Sequence, residues 1–249
     1  MRFARIAAPE GLTFAVVDGD DVKQIAGTPF TEPDYTGRSW ELSQVRLLAP
    51  TLPSKVIIVD HNRADGGSLP GVMTLKPATA VVGPGMPIKI PDFATDVECS
   101  GGLALVIGRP CKNVKAQDWK TVVRGATIGN DVTSRDLLAV DGDATRAKGS
   151  DTFCPLGPWI DTDLSALGLD DAQVTLRRTR DGATTAATAT PLGADFGQII
   201  EYVTASMTLL PGDVVCVGSS AGATSVEPGD TVTVEIPGLG TLTNPVQKG

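Results

Sequence analysis

The chain lacks any long apolar run. Its longest apolar stretches, such as Val56–Val59 and Leu103–Ile107, have strand length and fall far short of the ~20 residues that a membrane-crossing helix needs. The first ten residues, Met-Arg-Phe-Ala-Arg-Ile-Ala-Ala-Pro-Glu, hold no apolar core of the ~7–15 residues that marks a secretory signal. Cysteine is scarce: Cys99, Cys111, Cys154 and Cys216 show no Cys-x-x-Cys spacing and are too few for a disulfide framework. The expectation is four reduced thiols in a cytoplasmic protein. No basic run is present, and the net charge is −8 with a pI near 4.7. That balance argues against nucleic acid and anionic membranes as partners, because both reward basic patches. Internal repeats and low-complexity tracts are absent too, and His61 is the only histidine.

What remains is an ordinary globular composition, with 41% hydrophobic and 20% charged residues over a length of 249, enough to bury a sizeable core. The 28 glycines and 18 prolines are scattered as turn punctuation between short Val/Ile/Thr-rich runs. Thr231–Ile236 alternates with period two and is followed by Pro-Gly and a second run at 241–243, which reads as a hairpin. Thr13–Val17 and Val22–Ile25 flank the turn Asp18-Gly-Asp-Asp and read as another. Asp213–Val217 and Ala104–Ile107 read as buried strands. Helical spacing is confined to roughly 118–123 and 196–208, the second with Asp195 as its N-cap. The fold class is therefore α+β and strand-dominated. Ala49-Pro-Thr-Leu-Pro53 is a linker-like break, dividing a small N-terminal β domain (1–50) from a larger catalytic domain (51–249).

Two phrases carry the chemistry: Gly129-Asn-Asp-Val-Thr-Ser-Arg-Asp136 and, after a linker, Arg146-Ala-Lys-Gly-Ser-Asp-Thr-Phe-Cys-Pro-Leu-Gly-Pro158. They gather Asp131, Arg135 and Lys148 into one Gly-punctuated region. Clustered opposite charges suit a pocket that binds a small anionic substrate and moves protons. The phrases resemble the fumarylacetoacetate hydrolase family. So do Ser54–Val59, Leu75-Lys-Pro77, Val82-Gly-Pro-Gly-Met-Pro-Ile88, Leu103–Arg109, Met207–Val215, Gly218-Ser-Ser-Ala-Gly222 and Gly238–Val246. The resemblance implies a mixed β-roll catalytic domain, usually a homodimer, acting on 2-oxo acids or β-dicarbonyl compounds. In that family Mg²⁺ or Mn²⁺ is held by three carboxylates, a Glu-x-Glu pair and the aspartate that matches Asp131.

This sequence departs from the pattern. Ser100 and Gly102 stand where the two glutamates belong; Arg63 replaces a tyrosine and Gly66 a lid histidine. Metal-dependent hydrolysis is therefore not carried over. Glu98 lies two residues before Ser100, and with Asp131 it would supply the metal ligands if a cation binds. The expected catalytic residues are Lys148, which matches the family lysine, Asp131, and His61, a relocated base beside Asp60. Arg63, Arg135, Gly218, Ser219 and Ser220 are the expected substrate-binding residues, Arg63 as a carboxylate clamp and the 218–222 loop as a backbone cradle. The expected activity is metal-independent enolate chemistry, namely tautomerisation, decarboxylation, dehydration or cyclisation. A Mg²⁺-dependent hydrolase or decarboxylase with a rearranged site and an inactive binding paralogue are the alternatives.

Overall fold

The structure, a computed structural model, describes residues 1–59, 71–168, 173–186, 190–191, 194–218 and 222–249. Strands dominate it, as the turn-punctuated Val/Ile/Thr pattern implies. The larger sheet runs from the edge strand Asp34–Glu41 through Asp21–Ala26, Gly11–Asp18 and Arg2–Ala8 to Cys154–Asp161. It continues through Val123–Ser134, Val97–Ile107, Val214–Gly218 and Lys55–Val59 to a second edge strand, Met73–Pro77. Arg2 pairs with Asp161 and Phe3 with Ile160, so the N-terminal strands continue this sheet. A second sheet orders Ala183–Ala186, Gln173–Arg180, Thr231–Ile236, Gly240–Lys248 and Ile88–Ile90.

Residue alternation assigns each side chain to a face. Leu103, Leu105 and Ile107 meet Leu176, Val234 and Ile199 on one side of the larger sheet. Ala104 and Val106 meet Phe3, Val56, Ile58 and Leu156 on the other. Both faces of strand Val97–Ile107 are thus covered, which is why Leu103–Ile107 reads as a continuous apolar run rather than an alternating one. In Thr231–Ile236 only Val232, Val234 and Ile236 are buried, matching its period of two. Both hairpins occur where the sequence places them.

Helix α1 spans Arg135–Asp141, α2 Ala144–Gly149 and α3 Phe196–Ser206. The third is the helix expected at 196–208, and Asp195 caps it by accepting from the Gln198 N–H at 3.0 Å. The helix expected at 118–123 is instead a 3-10 segment, Ala116–Thr121. It stops because Val123 enters a strand paired with Ile107. The stretch read as a linker between the two charged phrases is folded as α1 and α2. They join at Gly142, whose φ of 62° suits glycine, and Asp143 caps α2 by accepting from the Thr145 N–H at 2.8 Å. No helix among the described residues is long and apolar enough to cross a membrane.

Candidate active site

Strands Val97–Ile107 and Val123–Ser134 pair with Glu98 opposite Thr133, Ser100 opposite Asp131 and Gly102 opposite Gly129. All six residues therefore share one face. Gly218 pairs with Gly102 from the other side. Helix α2 and the edge strand Met73–Pro77 close over this face and deliver two lysines. Lys148 Nζ donates to Asp131 Oδ2 and, at 2.9 Å, to Thr133 Oγ1. Lys76 Nζ donates to the carbonyls of Val132, Lys148 and Phe153 at 2.8, 2.9 and 2.9 Å. It also lies 2.9 Å from Asp131 Oδ1. An ammonium has three protons, so Lys76 has none left for that oxygen, and the fourth contact is purely ionic. Accordingly Oδ1 accepts no hydrogen bond.

The cluster is almost dry: Lys76 is 0% exposed, Asp131 4% and Lys148 6%. Burial raises the Asp131 carboxyl, but the charges of Lys76 and Lys148 outweigh it and hold the group below its ordinary range. Asp131 is thus a fixed anion, and its basicity is low. Lys148 has two of its three protons engaged among the described residues. Among the described residues its third proton has no acceptor, and Lys148 carries the only ammonium of the cluster with any exposure.

Arg135 is half-exposed and pairs with Glu98 at 3.2 Å, rather than with Asp131 or Asp136. Asp136 instead accepts from Ser134 Oγ, Thr95 N and Thr95 Oγ1. These bonds, led by the one from Ser134, hold its carboxyl well below the usual range. Glu98 faces the Asp131 side, but it lies two pairs further along the ladder and its carboxylate is bound to Arg135. It does not join Asp131 in a ligand set. Cys99 points the other way into the core, and burial pushes its thiol up to about 12, which excludes it as a nucleophile at neutral pH.

Structure thus brings together Asp131 and Lys148, with Gly218 at the end of a neighbouring strand and Arg135 on Glu98. His61, Arg63, Ser219 and Ser220 lie outside the described residues. Lys76 is the site residue that sequence reasoning passed over. Its signal was a lysine in phase with Thr74 on the inward side of a short strand, just before a proline.

The family model "Fumarylacetoacetate (FAA) hydrolase C-terminal" matches residues 59–247, and the model "Rv2993c-like, N-terminal" matches residues 1–50. The chain is 49% identical to Protein Rv2993c of Mycobacterium tuberculosis, over 99% of this chain and 98% of that one. It is 32% identical to an oxaloacetate tautomerase (fahd2, mitochondrial) of Xenopus laevis, over 82% of this chain and 69% of that one. Among solved structures, a 5-carboxymethyl-2-hydroxymuconate delta-isomerase from Mycobacterium smegmatis superposes with a TM-score of 0.91 at 47% identity, covering both chains fully. A maleylpyruvate hydrolase from Sphingobium sp. SYK-6, solved with manganese(II) and pyruvate, matches with a TM-score of 0.78 at 29% identity over both full chains.

Among the described residues the donor set does not fit such a cation. Ser100 and Gly102 bring no carboxylate to this face, and Asp131 already faces two ammonium groups. Among the described residues no three His, Cys, Asp or Glu side chains converge to hold a metal. A hard divalent ion needs several oxygen ligands and their charge, and would meet the repulsion of Lys76 and Lys148. The family model nonetheless spans most of the chain, residues 59–247: the chain belongs to the fumarylacetoacetate hydrolase family.

Proposed function

We propose that the chain is an isomerase that interconverts the keto and enol forms of a small 2-oxo acid, without a divalent cation. The observation that carries this reading is the spare donor on Lys148, a nearly buried ammonium fixed by Asp131 and Thr133. The names of an isomerase and a tautomerase among the similar proteins support it. An enol–keto exchange breaks one bond to hydrogen and forms another, with negative charge on the oxygen in between. A preorganised ammonium in a dry site stabilises that charge at its most costly moment. Lys148 takes this role. Asp131 holds Lys148 aimed; its low basicity makes it a poor proton carrier. His61 carries the proton between carbon and solvent, as a near-neutral base can. Gly218, Ser219 and Ser220 cradle the substrate carboxylate, and Arg63 and Arg135 hold its far end.

The test is enol-to-keto conversion of oxaloacetate, followed by the loss of enol absorbance in EDTA-treated protein. Activity that survives EDTA and falls at least a hundredfold in Lys148→Met is expected, the usual scale for one oxyanion-stabilising donor. Activity abolished by EDTA and restored by Mg²⁺ or Mn²⁺ overturns the metal-free reading. One observation favours a second reading: both oxygens of Asp131 are neutralised within the protein, which suits a metabolite-binding protein with no turnover. Oxalate binding without tautomerisation of any 2-oxo acid would select it.

A further inference from the structure

Lys76 is the one member of the buried cluster that the proposed chemistry leaves unused, and it is the most deeply buried. Its side chain, 0% exposed, crosses from the edge strand Met73–Pro77 to three carbonyls on three separate stretches of chain. Val132 O belongs to the strand that carries Asp131. Lys148 O belongs to the last turn of α2, and Phe153 O to the turn leading into the strand Cys154–Asp161. Without Lys76 two of these carbonyls would need other donors. Phe153 O already accepts from the Val132 N–H, at 3.2 Å, so this carbonyl is shared between the Asp131 strand and Lys76. The short helix α2 has only six residues, too few to hold its own position by backbone bonding. Its last turn is therefore held by what it touches.

We propose that Lys76 is the positioning residue of the site. It fixes Lys148 by its backbone carbonyl and Asp131 by charge, so that the donor left on Lys148 has one direction. The geometry is specific to an ammonium of this length. Three carbonyls lie within 0.1 Å of the same distance from Nζ, a tripod that three tetrahedral N–H groups can satisfy together and a planar guanidinium cannot. The ionic contact with Asp131 Oδ1 then adds attraction without using a proton. Lys76 touches no substrate in this scheme. It acts through Lys148 and Asp131. The inference rests on the role given to Lys148 above, but its test does not require turnover.

The test is competitive trace acetylation of all lysines with acetic anhydride, read at each residue by mass spectrometry, in wild type and in Lys76→Met. In wild type the Lys148 amine is expected among the least reactive of the chain. In Lys76→Met its labelling, relative to Lys89 and Lys112 on the surface, is expected to rise roughly fivefold to thirtyfold, because each buried hydrogen bond lost is worth about one such factor. Val22→Ala, a cavity in the separate apolar cluster of the N-terminal strands, serves as the control for destabilisation alone and is expected to leave Lys148 labelling within about twofold. Unchanged Lys148 reactivity in folded Lys76→Met overturns the proposal, and so does an equal rise in Val22→Ala. If Lys76→Met does not fold, Lys76→Gln, which can still donate to two carbonyls, is expected to raise labelling about threefold; no rise overturns the proposal. In a wild type that does tautomerise, Lys76→Gln lowers kcat at least tenfold with KM within about threefold, the pattern of a misdirected stabilising group. Absence of wild-type activity would refute the tautomerase reading and leave the labelling result to decide this one.

Discussion

Replacing Asp131 by asparagine removes a single charge from the centre of a dry cluster, and its cost follows from the contacts. Asp131 is 4% exposed and faces Lys148 through Oδ2 and Lys76 through Oδ1. Asparagine keeps one oxygen that can accept from Lys148 but leaves two ammonium groups without a counter-charge. Breaking a buried pair in this way costs about 3–5 kcal/mol. For a chain of this size each kcal/mol moves the melting temperature by about 2–4 °C, so Asp131→Asn is expected to melt some 6–20 °C below wild type at pH 7. The assay is thermal unfolding followed by circular dichroism across a pH series. The folded carboxyl lies below its ordinary range, so its contribution is fully present above the unfolded value of about 3.9. It is lost as the pH falls from there through the folded value. The gap between wild type and variant must therefore be widest near neutrality and narrow below about pH 4. Removing Lys148 as well, in Asp131→Asn/Lys148→Met, is expected to recover part of the loss, with a coupling of about 1–3 kcal/mol. A drop under about 2 °C, or a gap that stays constant with pH, would refute the reasoning, because the lysines would then not depend on Asp131.

Two further expectations concern the scaffold. Burial pushes the thiols of Cys99 and Cys154 up to about 12 and that of Cys216 well above its usual value. A disulfide-exchange reagent at pH 8 should therefore leave these three untouched in the native protein and modify them in denaturant; labelling of Cys99 within minutes under native conditions would contradict the packing described. Gly125→Ala places a Cβ 2.3 Å from the Asp161 carbonyl oxygen and 2.8 Å from Ile160 Cγ2. A backbone atom cannot yield as a side chain does, so a loss of at least ~1–3 kcal/mol is expected in urea titration, and a neutral result would show that the strands separate freely there.

The strands and hairpins were legible because period-two alternation and Gly/Pro punctuation survive in short windows, as in Thr231–Ile236. The Asp131 and Lys148 pairing was legible from two family-like phrases. Helices α1 and α2 were not, because seven and six residues are too few for a 3.6-residue period to show; their cues were Gly142 and Asp143 alone. Lys76 was easily missed for another reason. Its partners lie 56, 72 and 77 residues away, and its one local cue, being in phase with Thr74, does not by itself separate a lysine that ends in solvent from one that ends in a tripod of carbonyls. Glu98 misled in the opposite sense: alternation rightly assigned its face, but only the fold shows that Arg135 reaches it first.

The ladder between Lys55–Val59 and Met73–Pro77 fixes both ends of the connection that joins them, with Val59 opposite Met73 and Ile58 opposite Thr74, while Lys76 bolts the returning strand to the rest of the site. Any change in the number of residues between these two strands is therefore absorbed before position 73 and never reaches the charge cluster. Closure entropy grows only with the logarithm of length, about 0.6 kcal/mol per doubling. A chain built this way can lengthen, shorten or exchange that stretch over evolutionary time at little thermodynamic risk. The same scaffold can thereby exchange that stretch while the lysines and the aspartate stay in register.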